Sequence, residues 1–104
     1  MVSGRREAQL QELVELCQSK FGNSKVIYKV AEATSVKDNK ELVEFTIEKF
    51  GKLDIVVLAA GVAAHSYFEN IEDVDILRTV MEVNYMGYVT LTKAALPELR
   101  KTKG

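Results

Sequence analysis

Two adjacent arginines, Arg5 and Arg6, stand at the start of the first predicted helix. Positive charge is unfavourable at that end, because the helix dipole is positive there. A phosphate group at the same place would meet both free backbone N–H groups and guanidinium forks. The residue types alone leave two interpretations open, a phosphate-binding element and a solvated charged pair.

A stretch of small residues, Ala59-Ala60-Gly61, follows the most apolar segment of the chain. If that segment is a strand of an open α/β sheet, its carboxyl end lies at the edge where such folds bind ligands. Residues without bulk let a flat or extended ligand approach the backbone, and glycine does so most readily. The alternative is that these residues only make room for a crossing helix.

Asn84 and Gly87 interrupt an otherwise good helix over Val80–Leu96. Both residue types weaken a helix interior relative to Ala or Leu. Such a weakness indicates a kink or a buried polar contact. A buried Asn is more often a satisfied core amide than a catalytic group, and both interpretations are kept.

Other residues that often carry chemistry are isolated in this sequence. His65 has no second His or Cys partner, so no metal site is expected. Cys17 lies on the apolar face of the first helix and is interpreted as a small buried hydrophobe. No tyrosine has a lysine four residues later, so most of the tyrosines are interpreted as packing residues.

The composition excludes several classes of partner. Fourteen Lys and Arg stand against 15 Asp and Glu in 104 residues, which gives a net charge of -1 and no electrostatic footprint for nucleic acid. No apolar run approaches the roughly 20 residues of a membrane helix, and the polar start does not resemble a signal peptide. The 47% hydrophobic content suits one globular domain.

Two amphipathic helices are predicted in the first half of the chain. Apolar residues at helical spacing predict the first over Arg5–Phe21, with an end at Gly22-Asn23. Ser35 and Asp38 resemble a capping box that opens the second helix. Gly51 ends that helix in the same way as the first.

Two strands and a long helix complete the prediction. Lys25–Val30 is rich in β-branched and aromatic residues and is predicted to be a strand. Leu53–Ala60 is almost wholly apolar, which is typical of a parallel strand covered on both faces. A helix is predicted over Asp73–Leu99, with a break or bend at Pro97. The order helix, strand, helix, strand, long helix predicts an α/β fold with a parallel sheet.

Three segments occur in order along the chain. They are Gly4-Arg5-Arg6, the run from Phe50-Gly51-Lys52-Leu53-Asp54 to Leu58-Ala59-Ala60-Gly61, and the run from Met81-Glu82-Val83-Asn84-Tyr85 to Ala94-Ala95-Leu96-Pro97. Together they resemble the short-chain dehydrogenase/reductase family, nearest its 11β-hydroxysteroid dehydrogenase-like branch. The resemblance implies an incomplete Rossmann-type doubly wound parallel sheet, with residues 1–104 as a partial NAD(P)-binding domain.

The resemblance also implies residues for the adenosine side of the cofactor. Arg5 and Arg6 match the family's arginines that bind the 2′-phosphate, so NADP is expected rather than NAD. Glu32, followed by Ala33, matches the acidic residue that accepts from the adenine amino group. Leu58-Ala59-Ala60-Gly61 matches the family's Asn-Asn-Ala-Gly motif with both asparagines replaced, which leaves the small floor formed by Ala59, Ala60 and Gly61.

The remaining family motifs bear on catalysis. Asn84 matches the catalytic asparagine, which holds a water of the proton relay from its place in a kinked helix. The glycine-rich turn after the first strand, and the Ser and Tyr-x-x-x-Lys that follow the fifth strand, have no counterpart in this sequence. The resemblance therefore implies the middle segment of an NADP-preferring oxidoreductase that acts on a steroid-like or other lipophilic alcohol or ketone, inactive by itself.

The helix over residues 73–99 leads to an alternative function. The equivalent helix builds subunit interfaces in the family, so the alternative is a non-catalytic interaction module that pairs with a full-length relative through this helix. A homo-oligomer through the same helix is also expected. Full-length relatives of this branch are often anchored in the endoplasmic reticulum membrane, and the sequence leaves localisation open. A phosphoacceptor receiver-like domain is disfavoured, because Asp54 lies at the start of its predicted strand rather than at its carboxyl end.

The expected strand order has a consequence for stability. In the order 3-2-1-4-5-6 the family's third and fourth strands, which match Lys25–Val30 and Leu53–Ala60, are not neighbours. Of the second strand only a stub at Val2 and Ser3 is expected. Each buried backbone group without a partner costs about 1–3 kcal/mol, so we expect the chain alone to be marginal or unfolded unless it re-pairs its strands or associates.

Overall fold

The computed structural model describes residues 1–22 and 25–104. Asn23, part of the expected end of the first helix, lies outside the described residues. The elements are β1 (Val2–Gly4), α1 (Glu7–Phe21), β2 (Tyr28–Val30), α2 (Val36–Phe50), a 3-10 turn (Phe68–Asn70), α3 (Asp75–Met81), a π-helical turn (Glu82–Met86) and α4 (Gly87–Thr102).

A short parallel ladder joins β1 to β2. Val2 pairs with Tyr28 and Gly4 with Val30. The ladder extends by one backbone hydrogen bond at each end, from the Val2 N–H to the Ile27 carbonyl and from the Ala31 N–H to the Gly4 carbonyl. Because β1 has three residues, the strand expected over residues 25–30 pairs only in its second half.

The two faces of this sheet carry different helices. The Tyr28 hydroxyl donates to the Glu7 carboxylate of α1 at 3.1 Å. The Lys29 ammonium lies 3.8 Å from the Glu41 carboxylate of α2 and 5.4 Å from the centre of the Phe45 ring. Since successive side chains of a strand point to opposite faces, α1 and α2 cover opposite faces of the sheet. This is the layering of a doubly wound α/β fold, as predicted.

Both predicted helix ends in the first half of the chain are confirmed at glycine. Gly22 has φ 62° and Gly51 has φ 76°, in the left-handed region that side chains disfavour. The backbone N–H of each closes the last turn, on the carbonyls of Cys17 and Ile47 respectively. This is the glycine cap that the sequence indicated.

The apolar run over residues 53–60 corrects the predicted element order. It forms no strand, and no backbone–backbone hydrogen bond joins it to another described segment. Ile55 and Val57 are 78% and 80% exposed. In the doubly wound order this strand pairs with the first and fifth strands, and no described residue supplies either.

The last half of the chain contains one long helical stretch from Asp75 to Thr102, close to the predicted Asp73–Leu99. It passes through the π-helical turn, in which the Glu82 carbonyl accepts from the Gly87 N–H. The predicted weakness at Asn84 and Gly87 therefore takes the form of a widened turn. Of the break or bend predicted at Pro97, the break is wrong, since α4 continues to Thr102. One proline removes a single helical donor, and the turns on either side persist.

The hydrophobic core is small. The buried apolar side chains of the described residues are Leu10, Ala31, Val43 and Ala95. The radius of gyration is 16.1 Å, against about 13 Å for a compact domain of this length. None of the helices within residues 1–22 and 25–104 combines the length and the hydropathy that crossing a bilayer requires.

The unpaired run leads to a first prediction. In the purified 104-residue chain, the amides of residues 55–59 will exchange with solvent at least about tenfold faster than those of Val43 and Thr46 in α2, because they lack ladder partners. Hydrogen exchange resolved by NMR measures both sets in one sample. Strong protection of residues 55–59 in a chain shown to be monomeric would contradict this prediction.

Candidate functional site

The carboxyl ends of β1 and β2 bring four of the predicted site residues together. Arg5 follows β1 and Glu32 follows β2, and the Arg5 guanidinium lies 3.8 Å from the Glu32 carboxylate. Arg6 is the N-cap residue of α1, with extended backbone and no side-chain capping bond. Ala33 lies next to Glu32 in the turn that leads to α2. These residues form one edge of the sheet because parallel strands end on the same side.

The turn over residues 31–35, the β2–α2 turn, is held by Asp38. The Asp38 carboxylate accepts from the Glu32 backbone N–H at 2.8 Å and from the Ser35 hydroxyl at 3.0 Å. Ser35 caps the helix by accepting from the Asp38 N–H at 3.1 Å. The predicted capping box is confirmed at Ser35, but its acid reaches back to Glu32 instead of the cap residue's own N–H.

These hydrogen bonds set the ionisation of Asp38. The Glu32 N–H and the Ser35 hydroxyl stabilise the charged carboxylate and lower the pKa of Asp38 below its ordinary value of 3.8. Partial burial acts in the opposite direction, and the positive charges of Lys37 and Lys29 add to the lowering. Asp38 is therefore ionised at neutral pH and fixes the backbone beside the Arg5–Glu32 pair.

A buried amide, Asn39, connects the β2–α2 turn to α4. Its side chain is 2% exposed, and its Nδ2 donates to the Ala33 carbonyl at 3.0 Å and to the Thr90 hydroxyl at 2.7 Å. The sequence analysis did not select Asn39. An Asn on the inner face of a helix otherwise made apolar by Val43 and Ile47 is the signal that could have found it.

The remaining predicted site residues form a second group. Ala59, Ala60 and Gly61 are exposed at the end of the apolar run. The Asn84 side chain clamps the next residue, since its Oδ1 accepts from the Val62 N–H at 2.9 Å and its Nδ2 donates to the Val62 carbonyl at 2.8 Å. Asn84 thus makes the polar contact that the helix weakness indicated, although it is exposed rather than buried.

Tyr88 also holds this second group. Its hydroxyl donates to the Ala60 carbonyl at 2.6 Å. From the sequence, most tyrosines were interpreted as packing residues. The contact of Tyr88 could not be predicted, because residues 60 and 88 are 28 apart in the chain and meet only in the folded structure. With Asn84, Tyr88 fixes the Ala59-Ala60-Gly61 segment against the start of α4.

A close contact links the two groups. Gly87, which begins α4, is buried, and a Cβ atom at this position would lie 3.0 Å from the Ala33 carbonyl oxygen. A side chain at this position would therefore fit only if the Ala33 backbone of the β2–α2 turn shifted. The eight predicted residues form two walls, the sheet edge with Arg5 and Glu32 and the Ala59-Ala60-Gly61 segment, joined through Gly87 and Asn39.

The isolated residues take no part in these walls. His65 is exposed. Cys17 is half-buried on α1 rather than buried as interpreted from the sequence. No group of three His, Cys, Asp or Glu side chains suited to a metal ion occurs within the described ranges. The groups gathered in the two walls are two guanidinium groups, the Glu32 carboxylate, the hydrogen-bonded Asp38 carboxylate and a floor of small residues.

Comparisons with known proteins agree on one family. A family model described as short chain dehydrogenase matches residues 1–104. The chain is 35% identical over 104 residues to 11-beta-hydroxysteroid dehydrogenase A of Sesamum indicum, covering 100% of this chain and 30% of that protein. It is 37% identical over 103 residues to 11-beta-hydroxysteroid dehydrogenase 1A of Arabidopsis thaliana, covering 99% and 29%. The chain thus spans about a third or less of the length of these relatives.

The fold matches solved structures as well. The KRED1-Pglu enzyme superposes with a TM-score of 0.84 at 30% identity, over 98% of this chain and 40% of that one. The likeness covers almost all of the described residues. It supports the incomplete doubly wound architecture read from the layering of α1 and α2 around the sheet.

The Asp38 contacts lead to a prediction on stability against pH. A carboxyl whose pKa is lower in the folded state stabilises the fold above its unfolded value near 3.8, and this contribution is lost as the pH falls through the folded pKa. Asp38→Asn will therefore lower stability at neutral pH and flatten the acid dependence below about pH 4. Urea unfolding followed by circular dichroism across this range measures both effects.

The control is Glu48→Gln, on the exposed face of the same helix. This change removes a carboxylate whose ion pair with Lys49 is open to solvent, and it should leave the acid limb of the stability curve in place. An Asp38→Asn chain with an unchanged stability curve would show that the carboxylate does not hold the turn.

Proposed function

Because the chain belongs to the short-chain dehydrogenase family, we propose that residues 1–104 form the adenosine-binding part of an NADP-preferring oxidoreductase. The whole protein would oxidise or reduce a steroid-like or other lipophilic alcohol or ketone. The substrate class rests on the names of the relatives, which are 11-beta-hydroxysteroid dehydrogenases. The cofactor preference rests on the residues of this chain.

The observation that carries the proposal is the Arg5–Glu32 pair at the sheet edge. Arg5 is 69% exposed and its ion pair is 3.8 Å long, so the pair is loose and contributes at most about 1 kcal/mol. A phosphate with close to two negative charges is a stronger partner for the guanidinium, which presents a planar fork of donors. Arg5 is therefore available to a 2′-phosphate.

Arg6 adds a second contribution at the same place. As the N-cap of the 15-residue α1, it stands where the first-turn backbone N–H groups point out of the helix. An anion there gains from these donors and from the helix dipole. An anion bound between Arg6 and Arg5 would offset the unfavourable interaction of these two positive charges with the helix dipole.

The residues present fit the adenosine half of the cofactor. Glu32 would accept from the adenine amino group, with Ala33 beside it and its backbone fixed by Asp38. Ala59, Ala60 and Gly61 would form the floor on the other side, since their small side chains leave the backbone open. For the diphosphate the sequence has no glycine-rich turn, so these residues supply recognition of the adenosine end alone.

Hydride transfer needs groups beyond these residues. When bound, NADP supplies or takes up the hydride, and an acid–base side chain must exchange a proton with the substrate oxygen. The family's Ser and Tyr-x-x-x-Lys have no match in residues 1–104. Asn84 is proposed as a positioning residue of the proton relay, because the π-helical turn and the Val62 clamp fix its place. The 104-residue chain by itself is therefore proposed to be inactive.

The cofactor proposal is tested with the adenosine end of NADP alone. The chain will bind adenosine 2′,5′-bisphosphate more tightly than adenosine 5′-monophosphate. Arg5→Ala with Arg6→Ala will weaken the bisphosphate by about tenfold or more, since hydrogen bonds to charged groups contribute about 1.5–3 kcal/mol each. Isothermal titration calorimetry measures both ligands on both chains.

The control for lost positive charge is Arg78→Ala. Arg78 is exposed on α3 and pairs with Asp75, away from the sheet edge. This variant should bind both nucleotides as the unmodified chain does. Equal affinity of the unmodified chain for the two nucleotides would contradict the NADP preference, and no binding of either would contradict the adenosine site.

A second candidate function is favoured by the surface of α4. Val89 is 43% exposed and lines an apolar groove of about 710 Å³ between α2 and α4. Leu96 of the same helix is 37% exposed. An uncovered apolar patch of this kind is typical of interaction surfaces. The alternative proposal is a non-catalytic module that forms a homo-oligomer through the helix at residues 73–99.

Light scattering after size exclusion tests this alternative. If α4 self-associates, Val89→Lys will weaken the dimer by about tenfold or more, because burying a valine contributes about 1.5–3 kcal/mol. Thr92→Lys, at an exposed polar position of the same helix outside the groove, is the matched control and should leave association unchanged. A chain that stays monomeric at every concentration would rule out the oligomer.

A further inference from the structure

We propose that Asn39 is a positioning residue that sets the spacing between the two walls of the adenosine site. The inference rests on the proposed function and deepens it, because Asn39 would act on the adenosine site through the backbone of Ala33 and not by contact with the nucleotide. Its side chain acts through the Ala33 carbonyl on one side and through Thr90 of α4 on the other. No motif of the resemblance includes this residue.

The burial and bonding of Asn39 make it a rigid spacer. At 2% exposure the residue is almost fully buried, so its two Nδ2 hydrogens depend on protein acceptors. The structure gives it two, the Ala33 carbonyl at 3.0 Å and the Thr90 hydroxyl at 2.7 Å. One planar amide group therefore fixes both the turn after β2 and the first turns of α4.

The Thr90 hydroxyl continues the connection. It donates to the Gly87 carbonyl at 3.1 Å, and Gly87 is the residue packed against the Ala33 carbonyl. The same helical stretch carries Asn84, which clamps Val62 directly after the Ala59-Ala60-Gly61 segment. A continuous path of hydrogen bonds and close packing thus leads from Glu32 and Ala33 to the opposite wall.

A purely stabilising role would look different. Thr46, also in α2 and 7% exposed, uses its hydroxyl on the Leu42 carbonyl within its own helix. Its loss should cost stability without moving either wall. Thr46→Val is therefore the matched control for every measurement on Asn39.

The test uses Asn39→Asp, which keeps the shape but removes the two donors when ionised. The charged groups nearby in the sequence and across the groove are Glu32 on the turn, Asp38 and Lys40 on α2 and Lys93 on α4. Above neutral pH the buried carboxylate faces the Ala33 carbonyl without a hydrogen. Near pH 5, burial and this carbonyl favour the protonated acid, whose single O–H again donates to the Ala33 carbonyl.

We expect Asn39→Asp to bind adenosine 2′,5′-bisphosphate about tenfold more weakly than the unmodified chain at about pH 8, and to approach it at about pH 5. The readout is the affinity of Asn39→Asp for the bisphosphate divided by that of the unmodified chain at the same pH. Ionisation of the ligand affects both affinities equally and cancels in this ratio. Thr46→Val should give a ratio near one throughout. A ratio for Asn39→Asp that does not change with pH overturns the proposal.

A ligand-free measurement separates this inference from the proposed function. In Asn39→Asp at about pH 8, the NMR amide shifts of Ala33 and Val62 should move together and return on acidification. Shifts confined to the Ala33 side would overturn the coupling of the walls. If the unmodified chain binds no nucleotide, the proposed function fails. The ligand-free NMR measurement then decides by itself whether Asn39 couples the two walls.

Thr90 provides a second variant if Asn39→Asp does not fold at high pH. Thr90→Val removes the acceptor for Asn39 and the donor to Gly87 while keeping the shape of the side chain. It should weaken the bisphosphate by about threefold to tenfold and move the Val62 amide, and Thr90→Ser should restore both. Wild-type behaviour of Thr90→Val would contradict the bridge.

Discussion

Backbone pairing between Val2–Gly4 and Tyr28–Val30 is the constraint on which the rest of the structure depends. Three residue pairs fix the direction of both strands, and the strand direction decides where Arg5 and Glu32 emerge. In the same ladder, Tyr28 and Lys29 point to opposite faces of the sheet, where they contact α1 and α2 respectively. The sheet edge that carries Arg5 and Glu32 and the two-sided α/β layering thus both follow from one short set of hydrogen bonds.

The second wall of the site is built without such a ladder. Side chains of the long helical stretch reach the backbone of residues 53–60 at both ends of the run. The Thr102 hydroxyl donates to the Leu53 carbonyl at one end, and Tyr88 and Asn84 hold Ala60 and Val62 at the other. The site therefore joins a wall set by main-chain pairing to a wall set by side-chain contacts from a helix. Asn39 and Gly87 are where these two constructions meet.

Local chemistry made much of this fold predictable from the sequence. Ser35 and Asp38 act within four residues of each other, and Gly22 and Gly51 adopt positive φ for reasons internal to a helix end. The weakness at Asn84 was also readable, because Asn and Gly disfavour a helix whatever surrounds it. Each of these signals depends on neighbours along the chain.

The features that could not be predicted depend on distant partners. Asn39 meets Thr90 across 51 residues and Tyr88 meets Ala60 across 28, so no spacing rule points to either contact. The apolar run at residues 53–60 has the composition of a buried strand, yet composition does not supply the neighbour that would pair it. Pro97 shows the reverse case, since a local rule against proline yields to helical turns on both sides.

The unpaired run at residues 55–60 also affects whether copies of this chain associate with one another. Six uncharged residues without proline, and without a backbone–backbone hydrogen bond to another described segment, are the kind of segment that templates cross-β stacking between identical chains. A neighbouring copy competes for these N–H and C=O groups with any strand that would cover them from within one molecule. Pairing between two chains becomes more frequent as the concentration of the chain rises, whereas pairing within one chain does not depend on concentration. The concentration of the chain, as well as its sequence, therefore decides whether this segment stays unpaired.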